Sequence, residues 1–215
     1  MSASYPPEPW RLRGQMYVSL WSVPRAQLPP LPPAVRPLTL AGRALVGTAW
    51  VDYGPGGVLE YRELLSAVLV RRAARPLVTI TDIWVDSPAS RDGGRELWGI
   101  PKELADLTLP APRAGGPRAG SDVARAASYG AVIAEARLSV GARLPGRWPA
   151  RFSVAQMLGD RIAVTPVRSR AHVQRATASW HAAPDGPLAY LAGRQPLVTL
   201  ALPDFRLRFG RSPAS

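Results

Sequence analysis

The chain of 215 residues carries 27 lysines and arginines against 15 aspartates and glutamates, which gives a formal net charge of +12. This length is enough to bury a substantial core, and we expect a single domain over residues 1–215. Cysteine is absent, which excludes disulfide bonds and thiol catalysis and makes the cytoplasm the expected location. We expect no membrane span and no secretion signal, because no apolar run reaches ~18 residues and the proline-rich N-terminus lacks an apolar segment.

Alternation of apolar and polar residues predicts β-strands along most of the chain. The first such run extends from Gln15 to Val23, and the proline-rich residues 24–37 after it are expected to form a loop. Short helices are expected only near 96–105 and 187–193, and residues 111–121 are expected to form a flexible linker or hairpin excursion. Together these features predict a mainly β fold, an antiparallel sheet curled into a barrel or cone with a few short helices. The further predicted strands are 44–51, 65–71, 77–85, 131–140, 161–168, 197–202 and 205–209.

The positive charge raises the question of nucleic-acid binding. The arginines are spread along the chain, and no group of them forms a recognisable nucleic-acid-binding module, although arginines that are distant in sequence could still assemble in the fold. We therefore do not expect nucleic acid as a partner. The densest groups lie at positions 71, 72 and 75, at 168, 170 and 175, and at 206, 208 and 211.

The sequence offers little support for a metal or cofactor site. His172 and His181 are isolated, and no metal-ligand spacing surrounds them, so we expect no metal. The glycine-rich segment 52–57 matches neither a phosphate-binding nor a dinucleotide-binding loop, and we expect a turn between strands. No serine–histidine–aspartate triad can be assembled from this chain. We expect no cofactor.

Lys102 is the only lysine in the chain, and all other basic residues are arginines. It follows Pro101 and has apolar neighbours that include Trp98 and Ile100. A lysine can lose its proton near neutral pH whereas arginine cannot, and burial lowers the pKa of a lysine. A neutral lysine can form a Schiff base with a carbonyl compound, and the resulting iminium accepts electrons from a breaking bond. The alternative is a leftover surface lysine, and the apolar neighbours of Lys102 favour the nucleophile.

The segment Gly94-Arg95-Glu96-Leu97, followed by Pro101-Lys102 and Leu104, resembles the signature of the acetoacetate decarboxylase superfamily. This resemblance implies an acetoacetate decarboxylase-like fold in which Lys102 is the Schiff-base nucleophile. Upstream, Tyr61-Arg62-Glu63 resembles the Tyr-x-Glu motif of the family, which implies that Glu63 lies in the active site and transfers protons. The resemblance spans residues 5–110, with a weaker match at Pro9-Trp10, and it suggests a homo-oligomer.

The remaining candidate residues surround these motifs. We expect Tyr61, Arg95 and Trp98 to contact substrate, with a structural Arg95–Glu96 ion pair and core packing of Trp98 as the alternatives. The strand arginine that is proposed in the family to bind the substrate carboxylate falls on Gln15. In the decarboxylase a second lysine lowers the pKa of the nucleophile by like-charge repulsion, and here Glu103 stands at that position. Glu103 must then point away from Lys102, or burial and Arg95 must tune the lysine.

The sequence therefore predicts a Schiff-base-forming lyase that acts on a small keto acid or a related carbonyl compound through Lys102. Decarboxylation is the reaction that the family name implies. Because Gln15 and Glu103 replace groups that suit an anionic acid, aldolase or dehydratase chemistry is an alternative, and a non-catalytic ligand-binding relative is another.

Overall fold

A computed structural model describes residues 5–110 and 122–211 of the chain. Within these ranges the chain forms fourteen strands and one α-helix, α1 (Pro88–Trp98). Two short 3₁₀ turns lie at Arg25–Gln27 and Ala189–Leu191. The strands are β1 (Trp10–Pro24), β2 (Arg36–Pro37), β3 (Thr39–Leu40), β4 (Arg43–Tyr53), β5 (Tyr61–Arg72), β6 (Arg75–Val85), β7 (Lys102–Leu104), β8 (Asp106–Thr108), β9 (Asp122–Ser128), β10 (Ala131–Arg143), β11 (Trp148–Leu158), β12 (Arg161–Ala171), β13 (Gln174–Ala182) and β14 (Val198–Phe209).

Seven of these strands close into a barrel in the order β1-β4-β5-β6-β11-β12-β14, and β14 pairs with β1 to complete the ring. Neighbouring barrel strands are antiparallel except β6 and β11, which run parallel. Closure pairs the backbone groups that an open sheet would leave at its edges. The mainly β barrel predicted from the sequence is confirmed.

A second layer of strands covers part of the outer face of the barrel. Strand β10 lies between β9 and β13 and pairs with both. This layer joins the barrel where β13 pairs with β14. Its buried alanines pack against large side chains of the barrel wall, such as Trp21 and Trp50, in one hydrophobic cluster. The Trp180 ring of β13 lies 5.5 Å from each of these two rings, centroid to centroid. Alanine leaves space for the tryptophans and allows the two layers to approach closely.

Helix α1 connects β6 to β7 and ends earlier than the sequence predicted. Ser87 caps its first turn by accepting a hydrogen bond from the Ser90 amide, and Pro88 occupies the first helical position. The helix ends at Gly99, whose φ of 67° is a left-handed conformation that favours glycine. The helix expected near 96–105 is therefore wrong beyond Trp98, and Lys102–Leu104 instead pair with β6 as a short parallel strand.

The strands expected from strong alternation are present, and weaker patterns were missed. The segments 197–202 and 205–209 form one continuous strand, β14, and the proline-rich residues 24–37 form a connection, with only Arg36–Pro37 in a short strand. Strands β9, β11 and β13 were not predicted: alanine and polar residues dominate β9 and β13 and lower their β-propensity, whereas β11 contains the β-formers Trp148, Phe152 and Val154 and was missed all the same. The linker expected at 111–121 lies outside the described residues. No helix in the described ranges is long and apolar enough to cross a membrane.

Candidate active site in the barrel lumen

The inward side chains of the barrel strands enclose a lumen of 390 Å³. Alternation along each strand produces this lining: in β1, for example, Met16, Val18 and Leu20 face the lumen while the residues between them pack against the second layer. Among the described residues that line the lumen, Lys102 and Glu63 are the only charged ones. An apolar chamber with one ion pair is the usual character of a small-molecule site.

Lys102 and Glu63 form a buried ion pair, with Nζ of Lys102 2.9 Å from Oε2 of Glu63. Their side chains are each 4% exposed. The lysine ammonium also donates to Oγ of Ser90 at 2.9 Å and to the hydroxyl oxygen of Tyr61 at 3.3 Å. Tyr53 donates from its hydroxyl to the other carboxylate oxygen of Glu63 at 3.1 Å. Each charge in this cluster is therefore compensated by hydrogen bonds as well as by its partner.

The hairpin of β4 and β5 brings Tyr53, Tyr61 and Glu63 together. Tyr53 pairs with Tyr61 across the hairpin, and their rings lie 4.4 Å apart. Tyr61 and Glu63 are two residues apart on β5 and therefore face the same side. Arg62 between them faces outward and forms an ion pair with Asp86 at 3.4 Å. The Tyr-x-Glu spacing thus places a phenol and a carboxylate side by side in the lumen.

The glycine of the signature segment makes room for the nucleophile. Gly94 lies on α1 directly over the Lys102 side chain, and a Cβ atom at this position would lie 2.7 Å from Cδ of Lys102. This distance is shorter than real side chains adopt, so any larger residue must displace the lysine. Gly94 therefore allows the helix to lie against the Lys102 side chain.

Arg95 holds the backbone that carries Lys102 and stands outside the lumen. Its Nε donates to the carbonyl oxygen of Lys102 at 2.6 Å, and its guanidinium forms an ion pair with Glu103. Glu96 instead accepts a hydrogen bond from the Tyr5 hydroxyl at 2.7 Å, so the expected Arg95–Glu96 pair is wrong. Glu103 points away from the site, with its side chain 64% exposed. The structure therefore gives Arg95 a positioning contact to Lys102.

The electrostatic balance around Lys102 differs from the sequence-based expectation. Burial by itself lowers the pKa of Lys102, but the nearby Glu63 carboxylate and the Tyr61 oxygen outweigh burial, and the pKa is raised. Burial and then the Glu63 charge raise the pKa of Tyr61 to about 12, and the same causes raise the pKa of Tyr53 well above its ordinary value. The surroundings of Lys102 in this state therefore favour its ammonium form, and the surroundings of Tyr61 and Tyr53 favour the protonated phenols.

The other expected contact residues divide between the lumen and the outside. Trp98 lines the lumen, where its ring packs edge-on against Trp10 at 4.9 Å, and its Nε1 donates to Glu8 at 2.9 Å. Gln15 is buried in the barrel wall outside the lumen, and its side-chain amide donates to the carbonyl oxygen of Pro110 at 2.8 Å. It lines an outer cleft of 760 Å³, which shares Tyr53 and Tyr61 with the lumen. Position 15, on which the arginine of the family resemblance falls, therefore contributes no side chain to the lumen.

The sequence analysis missed two residues of the cluster, Tyr53 and Ser90. Tyr53 was included in a turn, although its place two residues after the buried Val51 marks it as the last inward position of β4. Ser90 lies three residues after the capping Ser87, in the first turn of α1. A predicted register for the β4–β5 hairpin would have paired Tyr53 with Tyr61. The contact of Ser90 with Lys102 could not be predicted in this way, because it depends on how α1 packs.

The chain belongs to the acetoacetate decarboxylase family, because the family's sequence profile, described as acetoacetate decarboxylase, matches residues 1–180. Among curated protein sequences no match is found. Structural comparison finds an acetoacetate decarboxylase from Legionella pneumophila, with 18% identity over 98% of this chain and 89% of the other and a TM-score of 0.68. An acetoacetate decarboxylase-like enzyme from Sphingomonas wittichii is 17% identical over 96% of this chain and 92% of the other, with a TM-score of 0.68.

A third similar structure is the enduracididine biosynthesis enzyme MppR, in complex with the condensation product of pyruvate and imidazole 4-carboxaldehyde. It is 18% identical over 98% of this chain and 90% of the other, with a TM-score of 0.66. At these identities the likeness concerns the fold. In the part of the chain that the structure describes, no group of three or more histidine, cysteine or acidic side chains is arranged to hold a metal ion.

Proposed function

We propose that this protein is a Schiff-base-forming lyase that acts on a small carbonyl compound through Lys102. The single observation that carries the proposal is the Lys102–Glu63 pair at 2.9 Å inside an otherwise apolar lumen. A buried lysine beside a buried carboxylate has both a nucleophile and a proton acceptor within one hydrogen bond. Membership of the acetoacetate decarboxylase family supports the same chemistry.

The proposed reaction begins with proton transfer from the Lys102 ammonium to Glu63. The neutral amine attacks the carbonyl carbon of the substrate, and the proton on Glu63 passes to the carbonyl oxygen to give a carbinolamine. Loss of water leaves an iminium on Lys102, which draws the electron pair of the adjacent breaking bond into an enamine. As this bond breaks in a β-hydroxy ketone, the Glu63 carboxylate takes the hydroxyl proton and the other fragment leaves as an aldehyde. Glu63 then passes this proton to the enamine carbon to give a second iminium, and hydrolysis of this iminium by water releases the ketone and regenerates the lysine ammonium.

The polarity of the lumen favours an uncharged substrate. A substrate carboxylate would need a cationic partner, and Lys102 is the only cation among the described lining residues. Lys102 is already paired with Glu63, and a second anion beside this carboxylate would be repelled. We therefore propose a neutral aldehyde or ketone as the substrate in preference to a keto acid. The substrate is cleaved or condensed at the carbon next to the imine.

Aldol or dehydratase chemistry is the form of this reaction that the apolar lumen favours over decarboxylation, because its substrates can be uncharged. The related MppR structure holds a condensation product of a keto acid and an aldehyde, which supports carbon–carbon bond chemistry in this fold. The enamine of the proposed reaction can attack an aldehyde as readily as it can accept a proton, so both outcomes use the same residues.

Turnover assays distinguish these reactions. The purified protein is incubated separately with a β-keto acid, a neutral β-hydroxy ketone, and a ketone–aldehyde pair, and CO₂, cleavage products and condensation products are measured. We expect carbon–carbon cleavage or condensation of the neutral compounds, absent in Lys102→Arg. CO₂ release from the keto acid alone would contradict the substrate assignment, and an imine without any turnover would indicate a ligand-binding relative.

A further inference from the structure

Seven arginines assemble on the outer face of one side of the barrel, although they come from four separate strands. The register aligns Arg11 of β1 with Arg208 of β14, Arg208 with Arg168 of β12, and Arg168 with Arg151 of β11. A second row lies two residues further along the strands. In this row Arg13 pairs with Arg206, and Arg206 pairs with Arg170. Neighbours within a row are separated by about 4.8 Å, and the two rows by about 7 Å. We call these seven residues the arginine face.

The arginine face surrounds a groove of 800 Å³ that is separate from the lumen. The residues between the arginines, such as Leu12 and Leu207, point inward and line the lumen, so the two cavities lie on opposite sides of the same barrel wall. The described lining of the groove contains no acidic and no aromatic residue. An occupant of this groove therefore meets positive charge and is out of reach of Lys102.

Arginines directly opposite one another in a sheet repel, and elsewhere in this fold some arginines face an acid across the strands, whereas the pairs Arg36–Arg71 and Arg72–Arg75 do not. Arg125 faces Glu135 across β9 and β10, with a 3.0 Å ion pair, and Arg62 faces Asp52 across β4 and β5 at 3.9 Å. Within the described residues, no member of the arginine face forms an ion pair with a carboxylate. Like charges in cross-strand positions are destabilising. What distinguishes the arginine face from these pairs is that seven arginines from four strands line one groove that contains no acidic residue among its described lining.

We propose that the arginine face binds a small organic or inorganic anion that carries at least two phosphate groups. Guanidinium groups bind phosphate oxygens through paired hydrogen bonds, and rows of them at strand spacing can contact adjacent phosphates together. The volume of the groove is that of a site for a molecule of nucleotide size. Because no aromatic ring lines the groove, the phosphates and not a stacked base provide the recognition. This site is independent of the proposed lyase activity.

Calorimetric titration with tripolyphosphate and with ATP at low salt tests the proposal. We expect saturable binding that weakens steeply as salt is added, and at least about tenfold weaker binding in the double variant Arg168→Gln/Arg208→Gln, which removes the centre of the first row. The matched control is Arg72→Gln/Arg75→Gln, an exposed cross-strand arginine pair at the β5–β6 hairpin, which removes the same charge elsewhere. The control should change the affinity by less than about twofold.

Two further readouts keep the test decisive. Without ligand, Arg168→Gln/Arg208→Gln should raise Tm by about 2 °C, because it relieves repulsion within the arginine face. A fall in Tm, an equal loss of affinity in the control, or no binding of tripolyphosphate by the wild-type protein would overturn the proposal. Tighter binding of duplex DNA than of either small anion, lost in the same double variant, would overturn the small-ligand assignment and favour a nucleic-acid surface.

Discussion

The ammonium of Lys102 and the carboxylate of Glu63 are held 2.9 Å apart, and both side chains are buried. Each buried charge is stabilised by the other, and removal of one partner alone typically lowers the free energy of unfolding by about 3–5 kcal/mol. The pair also controls the proton that must leave Lys102 before it can attack a carbonyl. Stability and reactivity are therefore coupled in the same two side chains.

Replacement of Glu63 by glutamine should move the pH dependence of imine formation to lower pH. Without the carboxylate, burial is no longer outweighed, and the pKa of Lys102 falls. The maximal rate should drop about 100-fold or more, because the proton acceptor is lost. Rates of borohydride-trapped adduct formation as a function of pH measure both effects. The exposed Glu60→Gln is the matched control, and an unchanged midpoint in Glu63→Gln would contradict the electrostatic account.

The variant Gly94→Ala should destabilise the protein by about 1–3 kcal/mol, because the added methyl group overlaps the Lys102 side chain. The sign of this effect is informative, since alanine in a helix is ordinarily about 1 kcal/mol more favourable than glycine. Urea denaturation measures the stability, and adduct formation should slow in parallel. In Gly54→Ala, where the added atom meets open space, both quantities should stay close to wild type. Stabilisation by Gly94→Ala would show that the helix does not pack on Lys102.

The free energy of unfolding should fall more steeply with pH in the wild type than in Lys102→Arg. The pKa of Lys102 is raised in the folded protein, so its contribution is complete below the unfolded value of ~10.4 and is lost as pH rises through the folded value. Arginine keeps its charge throughout this range, and the tyrosines titrate alike in both proteins. Denaturation between about pH 8 and pH 11.5 provides the comparison. Parallel curves would mean that Lys102 is not stabilised as an ammonium.

Gln15→Ala should lower stability by about 1 kcal/mol and leave imine formation within about twofold of the wild type. The Gln15 amide donates to the carbonyl oxygen of Pro110 and does not line the lumen, so its loss removes one buried hydrogen bond and no contact to substrate. Thermal denaturation and the trapping rate are the two measurements. A large fall in the trapping rate with unchanged stability would place Gln15 in the substrate site.

The barrel could be predicted from the sequence because its strands alternate strongly, as in β1, whose two faces bury different side chains in different clusters. Of the second layer only β10 was predicted, from its alternation over residues 131–140, because the alanines of β9 and β13 carry little β-signal by themselves. These alanines pack against tryptophans that are distant in the chain. Trp21 and Ala124, for example, are more than 70 residues apart. Contacts between distant segments are not encoded in local periodicity.

The proximity of Lys102, Tyr61 and Glu63 was predictable, and the electrostatic surroundings of Lys102 were not. The lone lysine after Pro101 and the Tyr61-x-Glu63 spacing are visible in the chain, and the structure brings these residues together. From the sequence, Glu103, the nearest acid, was expected either to point away from Lys102 or to be offset by burial and Arg95. In the fold Glu103 pairs with Arg95 outside the lumen, whereas Glu63, 39 residues away, contacts the ammonium. Which carboxylate reaches the lysine depends on strand pairing.

Reductive trapping with borohydride and peptide mass mapping test the central claim most directly. After incubation with a small neutral ketone or aldehyde, we predict one stable adduct on the peptide that contains Lys102, and none on this peptide in Lys102→Arg, whose folding is verified by circular dichroism. Because the chain has a single lysine, the N-terminal amine is the only other amine that could be trapped, and it lies on a different peptide. The absence of an adduct on Lys102 with any carbonyl compound would contradict the account.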